Sequence, residues 1–385
     1  MILRISSILA NRQSATKNPT KIEKMSGQFN GGLLRIARQR KGFSQGEAAQ
    51  RLGIPQVSLS RYENAMATPN EEFATRAALV YELPASFFYQ PDSIFGAPVS
   101  VHPMWRKKHD VTVRELDRIV AELNIRVMHL RRMLDAVEYT PQATIPNLDP
   151  EEYRGDIERI ASTVRAHWLL PAGPLQNLIG AVERAGAVVV FSSLAGSAVS
   201  GVTVSVPGLL PVIVLNEDQP ADRTRFTLAH ELGHLVMHRF PNASMEKEAN
   251  EFASALLMPA VDIKPALMGR IDLRRLAALK PEWRVSMQAL LYRAQSLKLI
   301  EPNQANWLWR QFNTSRMRLR EPPELDFQRE TPGVVSRMLS LHLDTFGYSK
   351  AEFAKLIQLH EEQLASYYDL DAKPAVSGLR LRIVR

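Results

Sequence analysis

The stretch RTRFTLAHELGHLVMH, Arg223–His238, places three of the chain's nine histidines within nine residues of a largely apolar run. Its apolar spacing is that of a helix, on which residues four apart stand one above the other on one face. His230 and His234 are so spaced, and their imidazoles can hold one ion between them. Glu231 lies beside them, where a carboxylate can take a proton from metal-bound water. His238 continues the stripe, but two turns of straight helix set it ~12 Å along the axis from His230, too far to share the ion. A third ligand must come from elsewhere. The segment SMEKEANEFASALLMP that follows reads as a second helix, with Ala249, Phe252, Ala253, Leu256 and Leu257 on its apolar stripe and Pro259 at its end. Glu246 and Asn250 are four apart on it, and an acid near its start can face the histidine pair. Two histidines, one carboxylate and an open fourth position form the catalytic zinc pattern, and manganese fits the same His/Glu set.

The rest of the chain limits what can surround this site. At 385 residues it exceeds one ordinary core, so two or three domains are expected. Fractions of 45% hydrophobic and 23% charged residues are those of a globular protein, and no apolar run approaches the ~18–20 residues of a bilayer span, so a cytoplasmic location without membrane contact is expected. There is no cysteine, which excludes disulfides and thiolate metal sites. The net charge of +8 favours a polyanionic partner. Part of that excess sits in residues 1–30, a basic stretch expected to be a disordered tail, in which Met25 is a second candidate start.

From Gly31 the pattern becomes helical. Leu33, Leu34 and Ala37 give a first helix its stripe, Ser44 and Glu47 open a second as a capping box, and Gly53 supplies its closing turn. A third helix follows, with Val57, Leu59 and Tyr62 expected inward and Gln56, Ser58, Ser60, Arg61 and Asn64 outward. Helix, glycine turn and a helix with an amide-rich open face make a helix-turn-helix unit. Through SQGEAAQRLGI and SRYEN, residues 31–92 resemble the lambda repressor/Cro-like (XRE) helix-turn-helix family. That resemblance implies binding of double-stranded DNA. It puts Gln45 on a phosphate at the second helix's start and Gln56, Ser58 and Arg61 at the groove, and a repressor-like fold points to a homodimer. Ala65 stands where the family usually has glycine.

Residues 93–148 read as a helical linker, with the basic Arg106-Lys107-Lys108 and a long helix near Val113–Val137 whose outward charges suit a spacer or dimer helix. YTPQATIPNLDPEEY closes it as a Pro-rich break. Beyond come a helix near Glu151–His167, another opened by Gly173-Pro174 and ended by Gly186, and strands in Ala187–Phe191, GVTVSV and LPVIVLNED, an α+β pattern. The pieces LLPAGPLQNL, LPVIVLNEDQPADRTRFTLAHELGHLVMH, EKEANEFASALLMP and WRVSMQALLYRAQSLKLI resemble the ImmA/IrrE family of metallopeptidases across residues 149–300. The resemblance implies a zincin-like fold with His230 and His234 as ligands, Glu231 as general base and Glu246 as third ligand, Glu248 being the alternative. It also puts His238 near the site, orienting substrate or an oxyanion, or else simply packed there.

The last segment, residues 301–385, holds an internal copy. GYSKAEFAKLIQLHEEQLASYY from Gly347 repeats GFSQGEAAQRLGIPQVSLSRYE from Gly42 at a constant offset, so three short helices are expected. Glu361, Glu362 and Gln363 stand where the first copy has groove residues, and acids there would repel phosphate, which suits a protein-contact or sensing module. The whole reads as a multidomain, mainly α chain with an α+β zincin-like domain between all-α ends. The expected function is DNA-tethered zinc peptidase action on a repressor or antitoxin-like protein in a stress or mobile-element response. The alternatives are a regulator whose zinc domain senses without cutting, and the antitoxin of a toxin–antitoxin pair.

Overall fold

A computed structural model describes residues 27–96, 112–194, 199–318, 320–370 and 380–383. Most of the basic tail, and Arg106-Lys107-Lys108, lie outside these residues. Among those described, no helix is long and apolar enough to cross a membrane.

The described residues begin with four helices: α1 (Gly31–Arg40), α2 (Gln45–Leu52), α3 (Gln56–Glu63) and α4 (Glu71–Tyr81). The capping box at α2 forms as the sequence predicts: Ser44 Oγ accepts from Glu47 N–H at 3.2 Å, and the Glu47 carboxylate accepts from Ser44 N–H at 2.6 Å. Leu33, Leu34, Ala37, Leu52 and Leu59 are fully or nearly fully buried. Val57 is not: it is 71% exposed, against the inward position expected for it. A helix turns ~100° per residue, so positions two apart point to nearly opposite sides, and once Leu59 faces the core Val57 must face out. Behind α3 a buried ion pair, Arg38 Nε to Glu63 Oε1 at 2.6 Å, ties α1 to the end of α3.

The long helix α5 (Val113–Leu134) is no exposed spacer. Ile119, Leu123, Val127, Leu130 and Met133 are buried, and so are Asn124, Arg126 and His129. It packs between α1 and the C-terminal segment and leads into β1 (Val137–Thr140). The charges that looked outward find partners: Arg126 Nε bonds Glu122 at 2.8 Å, His129 Nδ1 meets Tyr368 OH at 2.8 Å, and Arg132 pairs with Asp92 at 2.5 Å.

After α6 (Ile157–His167) and α7 (Leu178–Arg184), the strands β2 (Val188–Ser192), β3 (Gly201–Val204) and β4 (Val212–Asn216) form a sheet of order β2-β4-β3, with β2 parallel and β3 antiparallel to β4. Alternate residues of these strands serve different cores. Val188, Val190, Val202, Val204, Val212 and Val214 join the core that contains α1–α5, whereas Val189, Ile213 and Leu215 join a second core beneath α6. A sheet covered on both faces needs apolar residues at every position, which is why the strands read as continuous valine and isoleucine runs.

The second core is completed by α8 (Ala221–Met237), α9 (Met245–Leu257), α10 (Ala260–Leu267), α11 (Leu273–Trp283), α12 (Met287–Ser296) and α13 (Pro302–Thr314). The predicted stripe of α9, from Ala249 to Leu257, is buried throughout. The C-terminal segment holds α14 (Val334–Ser340), α15 (Lys350–Leu356), the single turn α16 (Leu364–Tyr367) and β5 (Arg380–Ile383), which pairs antiparallel with β1. Its likeness to the first module is visible in detail: Gly347 and Gly42 take φ of 69° and 68°, and Ser349 and Glu352 form a second capping box. Its third helix shrinks to a 3₁₀ turn and α16. This copy docks on the original, through Arg40 Nε to Tyr367 OH at 3.1 Å, Ser86 Oγ to Gln358 Oε1 at 2.7 Å and Gln363 Nε2 to the Glu82 carbonyl at 2.9 Å.

Candidate metal centre and nucleic-acid face

Helix α8 presents His230 and His234 on one face, and α9 crosses it so that Glu246, in its first turn, meets them. These three residues form a group able to hold a metal ion. Their candidate ligand atoms lie 3.0 Å (His230 Nε2 to His234 Nε2), 3.4 Å (His234 Nε2 to Glu246 Oε1) and 3.8 Å (His230 Nε2 to Glu246 Oε2) apart. Ligands at 2.0–2.1 Å from a tetrahedral zinc are about 3.3 Å from one another, so the spacing fits.

Proton accounting points the same way. Asn250 Oδ1 can only accept, so at 3.1 Å from it His230 Nδ1 carries the proton. Glu248 Oε2 accepts from His238 Nε2 at 2.9 Å. A neutral His238 therefore offers a lone pair at Nδ1, and His234 Nδ1, 2.9 Å away, must donate to it. Both remaining Nε2 atoms then hold lone pairs, 3.0 Å apart and facing each other. Two lone pairs at that distance repel unless a cation lies between them. Protonating His230 is opposed as well, since burial and the neighbouring His234 push its pKa down.

Glu231 is buried behind this trio, its Oε2 accepting from Thr203 Oγ1 of β3 at 2.7 Å. Burial raises the pKa of its carboxyl, against the opposing pull of His234 and Thr203. A carboxyl so placed holds a proton more readily than one in water, which suits a group that must accept one and release it again. His238 sits just past the end of α8, where the backbone leaves helical geometry at φ −114° and ψ 95°. The turn brings its ring against His234, and its side chain is only 1% exposed.

On α3, Gln56 and Arg61 are exposed and Ser58 and Ser60 half-buried, and Asn64, just past its end, is exposed. Gln45 is turned inward, its Nε2 bonding Glu63 Oε2 at 3.0 Å. Asn64 is tied down too, giving Nδ2 to the Ser60 carbonyl at 2.8 Å and accepting from Arg35 at 2.6 Å. Gln56, Arg61 and, unforeseen, Val57 are thus the exposed side chains of α3.

Compared with known families, residues 182–295 match the model of the IrrE N-terminal-like domain, and residues 31–86 match that of a helix-turn-helix domain. The chain carries an IrrE N-terminal-like domain. None of the curated proteins compared with the chain matches it.

Two supports of the IrrE N-terminal-like domain were missed in the sequence. Asn250 was legible as the residue one turn from Glu246, hence on the same face; that it holds His230 was not, because that needs the crossing of α8 and α9. Thr203 gave no signal, since only strand pairing brings β3 under Glu231. Glu248, the alternative third ligand, bonds His238 and Ser244 instead.

Proposed function

We propose that this chain is a DNA-binding zinc metallopeptidase that cleaves a regulatory protein, of repressor or antitoxin type, and so changes transcription. The carrying observation is the convergence of the two Nε2 atoms with Glu246 on one point, with the buried Glu231 carboxyl beside it. Zinc held there would polarise a peptide carbonyl and make water a nucleophile near neutral pH. The chain's own part is to aim the two imidazoles, through Asn250 and His238, and to let Glu231 take the proton from water and pass it to the leaving amine. Thr203 holds the Glu231 carboxylate at the sheet edge while the proton moves. Gln56, Arg61 and the Val57 methyls would meet base edges or thymine methyls in the major groove, positioned by α3.

The test compares the proteomes of cells carrying this chain and its Glu231→Gln variant, before and after DNA damage. A regulatory protein cut in the first and whole in the second is the expected result. If no protein differs while both chains bind zinc and DNA alike, proteolysis is refuted and the metal domain acts as a sensor.

A further inference from the structure

We infer that His238 and Glu248 are positioning residues for His234, acting from behind the metal site and never on the substrate. The inference rests on the metal-site reading above and deepens it. Every polar atom in the line is spoken for: His234 Nδ1 to His238 Nδ1 at 2.9 Å, His238 Nε2 to Glu248 Oε2 at 2.9 Å, and Ser244 Oγ to Glu248 Oε1 at 2.8 Å. With both ring nitrogens engaged and its side chain 1% exposed, His238 has nothing left to offer an oxyanion. Of the two roles expected of it, substrate contact and packing, the second is the one these bonds fit.

The two ligands are supported unequally. His230 donates to an amide oxygen, a neutral acceptor. His234 donates to an imidazole whose far side is bonded to a carboxylate, and that carboxylate makes the imidazole a stronger acceptor. A stronger acceptor at Nδ1 fixes the tautomer, holds the ring plane and raises the electron density at Nε2. His234 is therefore the better-anchored ligand, held by α8 and α9 together, because Glu248 belongs to the same helix as Glu246. One helix thus supplies a ligand and, two residues on, the support of another.

The experiment measures zinc affinity by chelator competition on the full chain, and the visible spectrum of the cobalt-loaded protein. His238→Leu keeps the ring's bulk and removes its bonds, and is expected to weaken zinc 10–100-fold and shift the cobalt bands. His238→Asn, whose Oδ1 falls where Nδ1 was, restores most of the affinity, and Glu248→Gln loses less than His238→Leu. If His238→Leu does not fold, Glu248→Gln decides alone: zinc bound more weakly than by the unaltered chain, with shifted cobalt bands, is the expected result, and both unchanged would overturn the inference. Zinc binding and cobalt spectra unchanged in these variants, with only KM altered, would overturn the inference while leaving the metal site standing. If the unaltered chain binds no zinc, the metal-site reading itself fails.

Discussion

Gly233 lies between the two histidine ligands in sequence, and its missing side chain lets α9 approach α8. A Cβ built there would come within 3.1 Å of Phe252 Cδ1, 3.3 Å of Ala249 Cα and 3.4 Å of Phe252 Cβ. Carbon pairs are at their best at about 3.5–4.0 Å, so Gly233→Ala demands a retreat of a few tenths of an ångström. The Phe252 ring is fully buried, and Ala249 Cα is backbone. The helix itself must move. Glu246 and Asn250 flank Ala249 on that helix, so they draw back from the histidines together. Zinc sites tolerate about ±0.2 Å in ligand distance, and the displacement is larger. For stability the effects oppose: alanine gains about 1 kcal/mol of helix propensity over glycine, and overpacking costs about 1–3 kcal/mol. The expected result is a protein at most about 2 kcal/mol less stable in urea unfolding that binds zinc at least ~10-fold more weakly by chelator competition. Zinc bound as tightly as by the unaltered chain would refute the claim that this glycine sets the ligand distance.

Three further outcomes follow from particular residues. Ala65 holds φ at 55°, a region that suits glycine, so Ala65→Gly should stabilise the protein by roughly 0.5–1 kcal/mol, seen as a higher melting temperature; a lower one would show that the strain is relieved elsewhere. His129 is buried, and that burial together with Arg126, Arg132 and Arg40 pushes its pKa well below the usual 6.5. Below about pH 6.5 the unfolded chain then binds a proton that the folded chain refuses, so stability falls with pH by up to ~1.4 kcal/mol per unit, and His129→Asn should remove one proton's worth of that slope in urea titrations at pH 5 and 7. Arg61 is exposed on α3, so Arg61→Ala should weaken DNA binding by roughly 1–3 kcal/mol in fluorescence anisotropy without moving the melting temperature; unchanged affinity would take α3 out of the groove.

What the sequence disclosed depends on how far apart the interacting residues stand. The pair His230 and His234, the capping boxes at Ser44 and Ser349 and the stripe of α9 are all local, fixed by spacings of three or four residues, and all were legible. Failures came where a partner lies far along the chain. Arg126, His129 and Arg132 made α5 look solvated, but Tyr367, Tyr368 and Asp92 satisfy them inside the fold, and Tyr367 and Tyr368 are about 240 residues away. Periodicity counts a charge as outward because it cannot see who neutralises it. Thr203 was invisible for the same reason. Val57 failed differently: three apolar residues were assigned to one face although Val57 and Leu59, at a spacing of two, cannot share it.

The buried α5 changes what a fusion of two domains means here. A helix-turn-helix module on a loose linker could sample any orientation, and DNA binding would say nothing about the metal centre. In this chain the two are joined through packed structure. Arg40 of α1 donates to the Tyr367 hydroxyl, Arg126 of α5 donates to the Tyr367 carbonyl at 2.7 Å, and the same guanidinium stacks over that ring and reaches the Phe191 carbonyl of β2. β2 pairs with β4, and the far face of that sheet lies in the core of α8. The core containing α1 and the core containing His234's helix are therefore opposite sides of one three-stranded sheet. Cooperative packing of that kind resists rotation of one module against the other, since turning it would uncover Val190, Val202 and Val214 together. If the proposed function holds, a chain bound to DNA would hold its metal centre at a set angle to the duplex. A protein substrate of the kind proposed, including a regulator bound to the same DNA, would then meet the metal centre in one orientation.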